Sequence, residues 1–331
     1  MRVKSRVRDG VVALLVVAAV AFVQGAGITV PGSHALAFGG NSKGELGVGT
    51  TVPVAAPTDV VAAVQLTQID GGNAISIGID AKGDVYTWGA NPNPNVTLLG
   101  YTAPLNSVQR VPRNVSAPFG SPAISVAAGV QHMLVAVTRG QVWSWGNPGI
   151  GVLGRQGGSL PAVIPGLSNI TAVSAGAGFS LALDKDFRVF AWGTNATGAL
   201  GPPAASSNVP RLVPGLPPIV KVSAGYAHAL ALAHDGTVWA WGKNDDGQSG
   251  SGSPTPAAPA QIGGLSNIVA IAAGDLVSLG LDNSGVVWAW GREDVLGINA
   301  IAVAGQPVPQ PVKVAGGQTL GGVVSIAAGL D

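Results

Sequence analysis

An all-β fold built from repeated four-stranded units is predicted by three features of the sequence. An aromatic residue followed by glycine recurs about every 50 residues along most of the chain. Around each pair, large apolar residues alternate with small or polar ones, as they do in short strands that bury one face. The 331 residues include 50 Gly and 24 Pro and are only 10% charged, so much of the length forms turns. Together these features indicate a β-propeller in which each repeat supplies one blade.

Each repeat carries the same parts in the same order. The anchors are Phe38-Gly39, Trp88-Gly89, Trp145-Gly146, Trp192-Gly193, Trp241-Gly242 and Trp290-Gly291, separated by 50, 57, 47, 49 and 49 residues. Most anchors are followed by a Gly-x-Leu-Gly turn, as in GELG at 44–47 and GALG at 198–201. A proline-bearing segment comes next, and then a strand that ends in small residues and glycine, as in VSAG at 222–225.

The stretch HALALAHDGTVWAWG at 228–242 predicts a hairpin. Asp235-Gly236 is a typical dipeptide for a tight turn, and apolar residues alternate on both sides of it. Side chains two residues apart share a face of a strand, so Trp239 and Trp241 point the same way and Ala240 points the other way. With a strand before the hairpin and another after it, the unit has four strands.

Two motifs resemble the regulator of chromosome condensation repeat family. VSAGYAHALAL at 222–232 fits the family's small-small-Gly-x-x-His signature, and WGTNATGALG at 192–201 fits its second motif. The resemblance covers the chain from about Ser33 to its end. It implies a β-propeller, normally of seven blades, that is closed by joining N-terminal and C-terminal strands in one blade.

The chain departs from this family in two respects. The signature histidine is present as His132 and His228, but the equivalent positions elsewhere are Ile75, Phe179 and Val277. We also expect six blade-like units with the last one incomplete, because VSIAAGLD at 324–331 is followed by no hairpin; the favoured alternative is that the chain is a truncated piece of a longer protein. Residues 33–39 are expected to pair with the C-terminal blade as a clasp, the alternative being an open stack of units.

The first 26 residues have the pattern of a signal peptide. Arg2, Lys4, Arg6 and Arg8 precede an apolar run from Val11 to Val23, which is short for a membrane-spanning helix. We expect cleavage near Ala26 and therefore a secreted or cell-surface protein, with the propeller over residues 33–331. An uncleaved anchor is the alternative and is the only membrane contact predicted. The chain has no cysteine, so disulfides do not stabilise the domain.

No catalytic, cofactor or metal site is predicted. His132 and His228 stand at equivalent repeat positions, which favours structural hydrogen bonds over a ligand role. Asp80, Asp184, Asp235 and Asp282 recur near hairpin turns, where a carboxylate accepts backbone N–H groups. Asp245-Asp246 lacks the further oxygen ligands of a calcium loop. The net charge of +1, with no basic run after the N-terminus, argues against nucleic-acid binding.

Aromatic residues also recur two positions before the anchor, as Tyr86, Trp143, Phe190, Trp239 and Trp288. They could form a ring of binding platforms for a carbohydrate or a protein. Packing is the favoured interpretation, because a position that recurs in every unit reflects the repeat itself.

The predicted function is a non-enzymatic scaffold that binds another protein through loops at the propeller rim. The longest insertion lies between Asn91 and Ser121 in the second unit. Candidate binding residues are Asn91, Asn93, Tyr101, Arg110, Arg113, Asp245, Asp246 and Glu293. Two alternatives remain: a hydrolase or lyase with a site in the central channel, and guanine nucleotide exchange on a small GTPase. The second conflicts with the leader and lacks a basic surface.

Overall fold

The computed structural model describes residues 35–61, 65–91, 96–104, 107–203, 205–250, 258–292, 308–313 and 317–329. These residues form six antiparallel sheets, which we call blades 1 to 6 in chain order. A search of the same residues finds no helix long and apolar enough to cross a membrane.

The strand bounds follow the repeat. Blade 1 has β1 (Leu36–Gly39) and β2 (Val54–Asp59), and blade 2 has β3 (Leu66–Gly72), β4 (Ile75–Asp80), β5 (Val85–Ala90) and β6 (Val108–Asn114). Blade 3 has β7 (Ala123–Ala128), β8 (His132–Val137), β9 (Val142–Gly146) and β10 (Ala162–Val163). Blade 4 has β11 (Ile170–Ala175), β12 (Phe179–Asp184), β13 (Val189–Gly193) and β14 (Ser207–Leu212). Blade 5 has β15 (Ile219–Ala224), β16 (His228–Ala233), β17 (Val238–Gly242) and β18 (Ala260–Gln261). Blade 6 has β19 (Ile268–Ala273), β20 (Val277–Asp282), β21 (Val287–Gly291) and β22 (Gln310–Pro311).

The predicted hairpin is confirmed in blade 5. His228 pairs with Gly242 and Leu232 pairs with Val238, so β16 and β17 are joined by the short turn that contains Asp235-Gly236. Every residue of β16 is buried, because this second strand is covered by neighbouring blades on both faces. In blades 2 to 6 the four strands follow one another across the sheet in chain order.

Apolar clusters join neighbouring blades from blade 2 to blade 6. The cluster around Trp241 of blade 5 also contains Phe179, Leu181 and Leu200 of blade 4. Trp241 and Ala240 are fully buried, whereas Trp239 is half-buried. The prediction that the anchor tryptophan packs between blades is therefore confirmed. The stability of the ring depends on these contact zones between neighbouring blades, which we call seams.

A series of glycines explains the small-small-Gly ends of the first strands. A Cβ atom added to Gly72, Gly129, Gly176 or Gly225 would lie less than 3.0 Å from the carbonyl oxygen of the next glycine in that series. Gly274 stands in the same relation to Gly329. Side chains larger than hydrogen cannot fit where neighbouring blades approach so closely. The anchor glycines have a second reason, since their φ angles of 98–118° favour glycine.

The six predicted units correspond to six sheets within the described residues. A repeat counted from one anchor to the next contains strands of two different sheets. The two-stranded sheet is therefore blade 1, at the N-terminal end, and blade 6 has four strands. Residues 323–329 contact blade 6 in the way that the first strand of a blade contacts the blade before it. Val323 N donates to Gly285 O at 3.1 Å, as Ile268 N donates to Gly236 O at 3.3 Å.

The clasp is not established by these contacts. Ser33 and His34 lie outside the described residues, and among described strands β1 pairs with β2 alone. The β-bridge nearest to residues 323–329 along the chain joins Lys313 to Thr319 and is isolated. Pairing of residues 33–39 with the C-terminal blade therefore stays a prediction.

Candidate functional site

One face of the propeller carries the long loops. In an antiparallel blade, the connections after the first and third strands lie at the same end. The loops that follow the anchor tryptophans are therefore on the same face as the Gly-x-x-His turns. We call this end the loop face, and the end with the short hairpin turns the turn face.

A buried asparagine organises the base of each of several loops. The Oδ1 atoms of Asn41, Asn195 and Asn244 each accept a backbone N–H five residues later, from Leu46, Leu200 and Ser249, at 2.7–3.0 Å. All three side chains are 0–6% exposed. Because an amide oxygen replaces the backbone acceptor that the loop lacks, the asparagine three residues after the anchor aromatic fixes the start of the loop.

The loop is also clamped to the following blade. In four of the Gly-x-Leu-Gly turns and their variants, the carbonyl of the second residue accepts the indole N–H of the next blade's anchor tryptophan, whereas the buried indole N–H of Trp290 has no hydrogen-bond partner among the described residues. The pairs are Trp88 with Glu45 O, Trp145 with Leu98 O, Trp192 with Val152 O and Trp241 with Ala199 O, at 2.7–2.8 Å. Each of these four tryptophans thus fills a seam and holds the neighbouring loop.

Two of the seams contain a buried histidine. His132 Nε2 lies 2.8 Å from Ser180 Oγ, which donates to Val152 O at 3.0 Å. Since the serine proton goes to the carbonyl, the hydroxyl accepts from Nε2–H, which fixes the tautomer. Burial lowers the pKa of His132 to about 3, so the ring is neutral. His228 repeats the arrangement with Ser278 at 2.8 Å, and burial likewise lowers its pKa to about 3.

The structural role predicted for the histidines agrees with these contacts, but their serine partners were not predicted. At the equivalent places in other seams, Ile75 is matched with Met133 and Phe179 with Ala229. Polar thus accompanies polar, and apolar accompanies apolar. That correlation between units about 50 residues apart is the signal that could have identified the pairs.

One inner-strand acid was also missed. Asp70 accepts backbone N–H groups from Gly71 and Ala128, both at 2.9 Å, and burial raises its pKa to about 6. The equivalent hydroxyls of Ser174 and Ser223 accept from the neighbouring inner strand at 2.9–3.0 Å. Asp70 therefore accepts the hydrogen bond that a serine accepts at the equivalent position of two other repeats. An aspartate where those repeats have serine was the sequence signal that could have identified it.

The predicted turn acids lie on the turn face. The carboxylates of Asp80, Asp184 and Asp282 end the second strands and each accept two backbone N–H groups of the following turn, at 2.9–3.0 Å. Asp235 lies two positions further on and accepts from the N–H and hydroxyl of Thr237. These bonds agree with the turn role expected for them.

The second ring of aromatics is also on the turn side of the blades. Trp143, Phe190, Trp239 and Trp288 are half-buried and pack against the seam clusters, while Tyr86 is buried. Trp288 Nε1 donates to Asp282 at 3.0 Å. These contacts support the packing interpretation over that of binding platforms.

The predicted binding residues occupy different environments. Asn91 is buried, and its Oδ1 accepts Leu98 N–H at 3.1 Å, so it belongs to the loop base and not to an exposed surface. Asp245 is exposed and lies 3.8 Å from Lys243 Nζ. Asp246 donates its N–H to Gln248 Oε1 at 3.0 Å. Asn93 and Glu293 lie outside the described residues.

Tyr101 and Arg113 meet at the outer edge of blade 2, and Arg110 lies on the same strand against the Gly44 turn. The Arg113 guanidinium lies 3.9 Å from the centre of the Tyr101 ring. Arg110 and Arg113 are exposed on β6, whereas Tyr101 is partly buried against the cluster between blades 2 and 3. Among the described residues, no three His, Cys, Asp or Glu side chains form a group able to hold a metal ion.

A sequence model of the RCC1-like domain matches residues 17–331. The chain belongs to this family. The match begins inside the predicted leader, so the two assignments overlap over residues 17–26. The resemblance to the regulator of chromosome condensation repeats is thereby confirmed.

Relatives of this RCC1-like chain are similar over about half of its length. The E3 ubiquitin-protein ligase HERC2 of Homo sapiens is 34% identical over 177 residues, which are 50% of this chain and 4% of HERC2. The ultraviolet-B receptor UVR8 of Arabidopsis thaliana is 28% identical over 171 residues, 50% of this chain and 38% of the receptor. The chain thus spans less than two fifths of either relative.

Solved structures share the fold. Yeast RCC1 (Prp20) bound to Kap60 superposes with a TM-score of 0.75 at 22% identity, over 86% of this chain and 72% of that one. Human WBSCR16 gives a TM-score of 0.72 at 21% identity, over 83% and 77% of the two chains. These likenesses establish the propeller of the RCC1-like chain.

Proposed function

We propose that this chain is an exported, non-catalytic scaffold that binds a protein through its loop face. One observation carries the proposal: the loops that follow Phe38, Trp88 and Trp192 each have a fixed base and an exposed part. The base is held by the asparagine and by the tryptophan of the next blade, as in the loop between Asn195 and Gly201. Residues outside this framework can vary without disturbing the seams, which is the arrangement by which rigid scaffolds present binding loops.

The RCC1 structures support a protein partner. One shows yeast RCC1 bound to Kap60, and another describes the binding of Prp20p of Saccharomyces cerevisiae to Gsp1p and histones. Those partners belong to the yeast protein. For this chain, the two yeast structures support only the use of the same fold as a protein-binding surface. No described feature specifically favours the enzyme or nucleotide-exchange alternatives.

The second loop is the best place to test the proposal, because it contains the longest insertion. In a loop-graft variant, residues 92–106 are replaced by residues 196–205 of the fourth unit, while Asn91 and Ser107 are kept. The graft preserves an asparagine base and a Gly-x-Leu-Gly turn, so we expect its melting temperature to stay within a few degrees of the parent. Export is checked first, by N-terminal sequencing of protein from the medium, which should begin near Ala26 or Gly27.

The measurement is affinity capture from the native extracellular medium, followed by mass spectrometry. We expect one protein to be retained by the parent and by Lys185→Glu, a control change on the turn face, and to be lost with the graft. Equal retention by parent and graft would contradict binding through this loop, and loss with Lys185→Glu alone would move the site to the turn face.

A further inference from the structure

One hairpin turn on the turn face departs from the repeat. In blades 2 to 6, the residue three positions after the end of the second strand has a positive φ and donates its N–H to the carbonyl of that strand's last residue, at 2.7–3.1 Å. In four blades this residue is glycine, with φ angles of 74–84°: Gly83, Gly140, Gly236 and Gly285. In blade 4 it is Phe187, with a φ angle of 64°. Phe187 therefore adopts a conformation that the other turns give to glycine.

The backbone of Phe187 is strained, and its side chain is not buried in exchange. A left-handed φ brings Cβ too close to the backbone in residues other than glycine, and bulky side chains are rare there. Phe187 is 46% exposed, so burial of its ring compensates for little of this cost. Strained backbone conformations of this kind are concentrated at functional sites. Phe187 is therefore a candidate binding residue.

The ring of Phe187 meets a second aromatic ring across the seam between blades 4 and 5. The ring centres of Phe187 and His234 are 6.4 Å apart, and the two planes are inclined by 75°. Ile219 N donates to Phe187 O and His234 N donates to Pro218 O, both at 3.0 Å, so the backbone of Pro218 passes between the two turns. In the described turns between the second and third strands of blades 2 to 6, only these two residues are aromatic. We call Phe187 and His234 the aromatic corner.

The charged groups in these two turns are occupied within their own turns. The guanidinium of Arg188 lies 2.7 Å from the carboxylate of Asp184 and 3.3 Å from that of Asp186. The carboxylate of Asp235 accepts the backbone N–H and the hydroxyl of Thr237, at 3.0 and 2.7 Å. The aromatic corner therefore offers exposed ring surface beside acceptors that are already used.

We propose that the aromatic corner binds a proline-rich segment of a protein partner in the polyproline II conformation. Such a segment presents apolar rings and carbonyl acceptors but has no N–H at its prolines, so it leaves no donor unpaired against the rings. Its extended conformation is also formed before binding, which suits recognition by exposed aromatic side chains. A sugar would instead bring hydroxyl donors, and the carboxylates beside the corner are already engaged.

His234 adds one polar contact to this surface. Its imidazole is exposed, and a ring N–H can donate to a carbonyl of the bound segment. The aromatic corner is on the turn face, whereas the proposed scaffold function uses the loop face. The inference therefore adds a second binding surface to the molecule and does not depend on the first.

The probe is a fluorescein-labelled decaproline peptide, titrated with the purified full chain and followed by fluorescence anisotropy. Phe187→Gly installs the residue of the four other turns, so we expect the affinity to fall at least tenfold while the melting temperature rises by a few degrees. His234→Asn, which installs the residue found at this position in blade 6, should lower the affinity at least threefold. The control is Tyr226→Ala, which removes a ring that is 44% exposed on the loop face and should leave the affinity unchanged.

Several results would overturn the inference. Unchanged affinity in Phe187→Gly, or an equal loss in Tyr226→Ala, would show that the aromatic corner is not the site. A lower melting temperature in Phe187→Gly would show that the ring serves packing. Equal binding of a glycine-serine peptide of the same length would remove the requirement for proline. Binding of cellohexaose that is lost in Phe187→Gly, without binding of decaproline, would assign the corner to a glycan. Each of these results leaves the loop-face function standing, because that function is tested by capture with the second-loop graft.

Discussion

Trp241→Ala should lower the free energy of unfolding by about 3–5 kcal/mol, as truncation of large aromatic core residues does. The ring is fully buried between blades 4 and 5, and its Nε1 donates to Ala199 O at 2.8 Å. Its removal leaves a cavity in the seam and a buried carbonyl without this donor. Urea denaturation of the full chain measures the loss.

Trp239→Ala is the matched control, because the residue is two positions away on the same strand. Trp239 is half-buried, and its Nε1 donates to Thr237 at 3.2 Å within its own hairpin. We expect less than half the loss seen for Trp241→Ala. A loss below about 1 kcal/mol at Trp241 would contradict its place in the seam.

Acidification from pH 6 to pH 4 should destabilise the chain by about 3 kcal/mol through its buried groups. His132 and His228 have an ordinary pKa of 6.5 and a pKa of about 3 in the folded chain. Between these pH values the unfolded chain binds protons that the folded chain does not bind. Their contribution is complete above pH 6.5 and is lost as the pH falls. Asp70 opposes it, because burial raises its pKa from 3.8 to about 6 and its contribution is present at low pH. Two histidines against one aspartate leave about 1.4 kcal/mol per pH unit.

The chain itself supplies the control for this dependence. Changing both histidines to Phe and both Ser180 and Ser278 to Ala reproduces the Phe179–Ala229 seam. With the histidines gone, Asp70 alone titrates among these groups, so the free energy of unfolding should rise by about 2 kcal/mol as the pH falls from 6 to 4. Denaturant titrations at several pH values give both slopes. An unchanged slope in the fourfold variant would show that the histidines are not the cause.

The repeat and its hairpins could be predicted because they depend on local pattern. The pairing of His228 with Gly242 follows from alternation and one Asp-Gly turn. Contacts across seams could not be obtained in this way, since His132 and Ser180 are 48 residues apart and only the ring brings them together.

The candidate binding residues were predicted in part for the same reason. Arg110, Arg113 and Tyr101 lie in one insertion, so the sequence pointed to them together. The structure separates them, because Arg113 stacks on Tyr101 whereas Arg110 lies against the Gly44 turn of another unit. Asn91 was assigned to binding because it is a polar loop residue, but its burial in the loop base became evident only from its bond to Leu98.

The central claim is that the anchor tryptophans of blades 2 to 5 clamp these blades to the loops before them, and hydrogen exchange of the indole N–H groups tests it most directly. In NMR spectra of the full chain, the eight indole signals can be followed after transfer to deuterated water. Trp88, Trp145, Trp192 and Trp241, which donate to buried carbonyls, should exchange far more slowly than the half-buried Trp239. Exchange of these four at the rate of Trp239 would contradict the clamp.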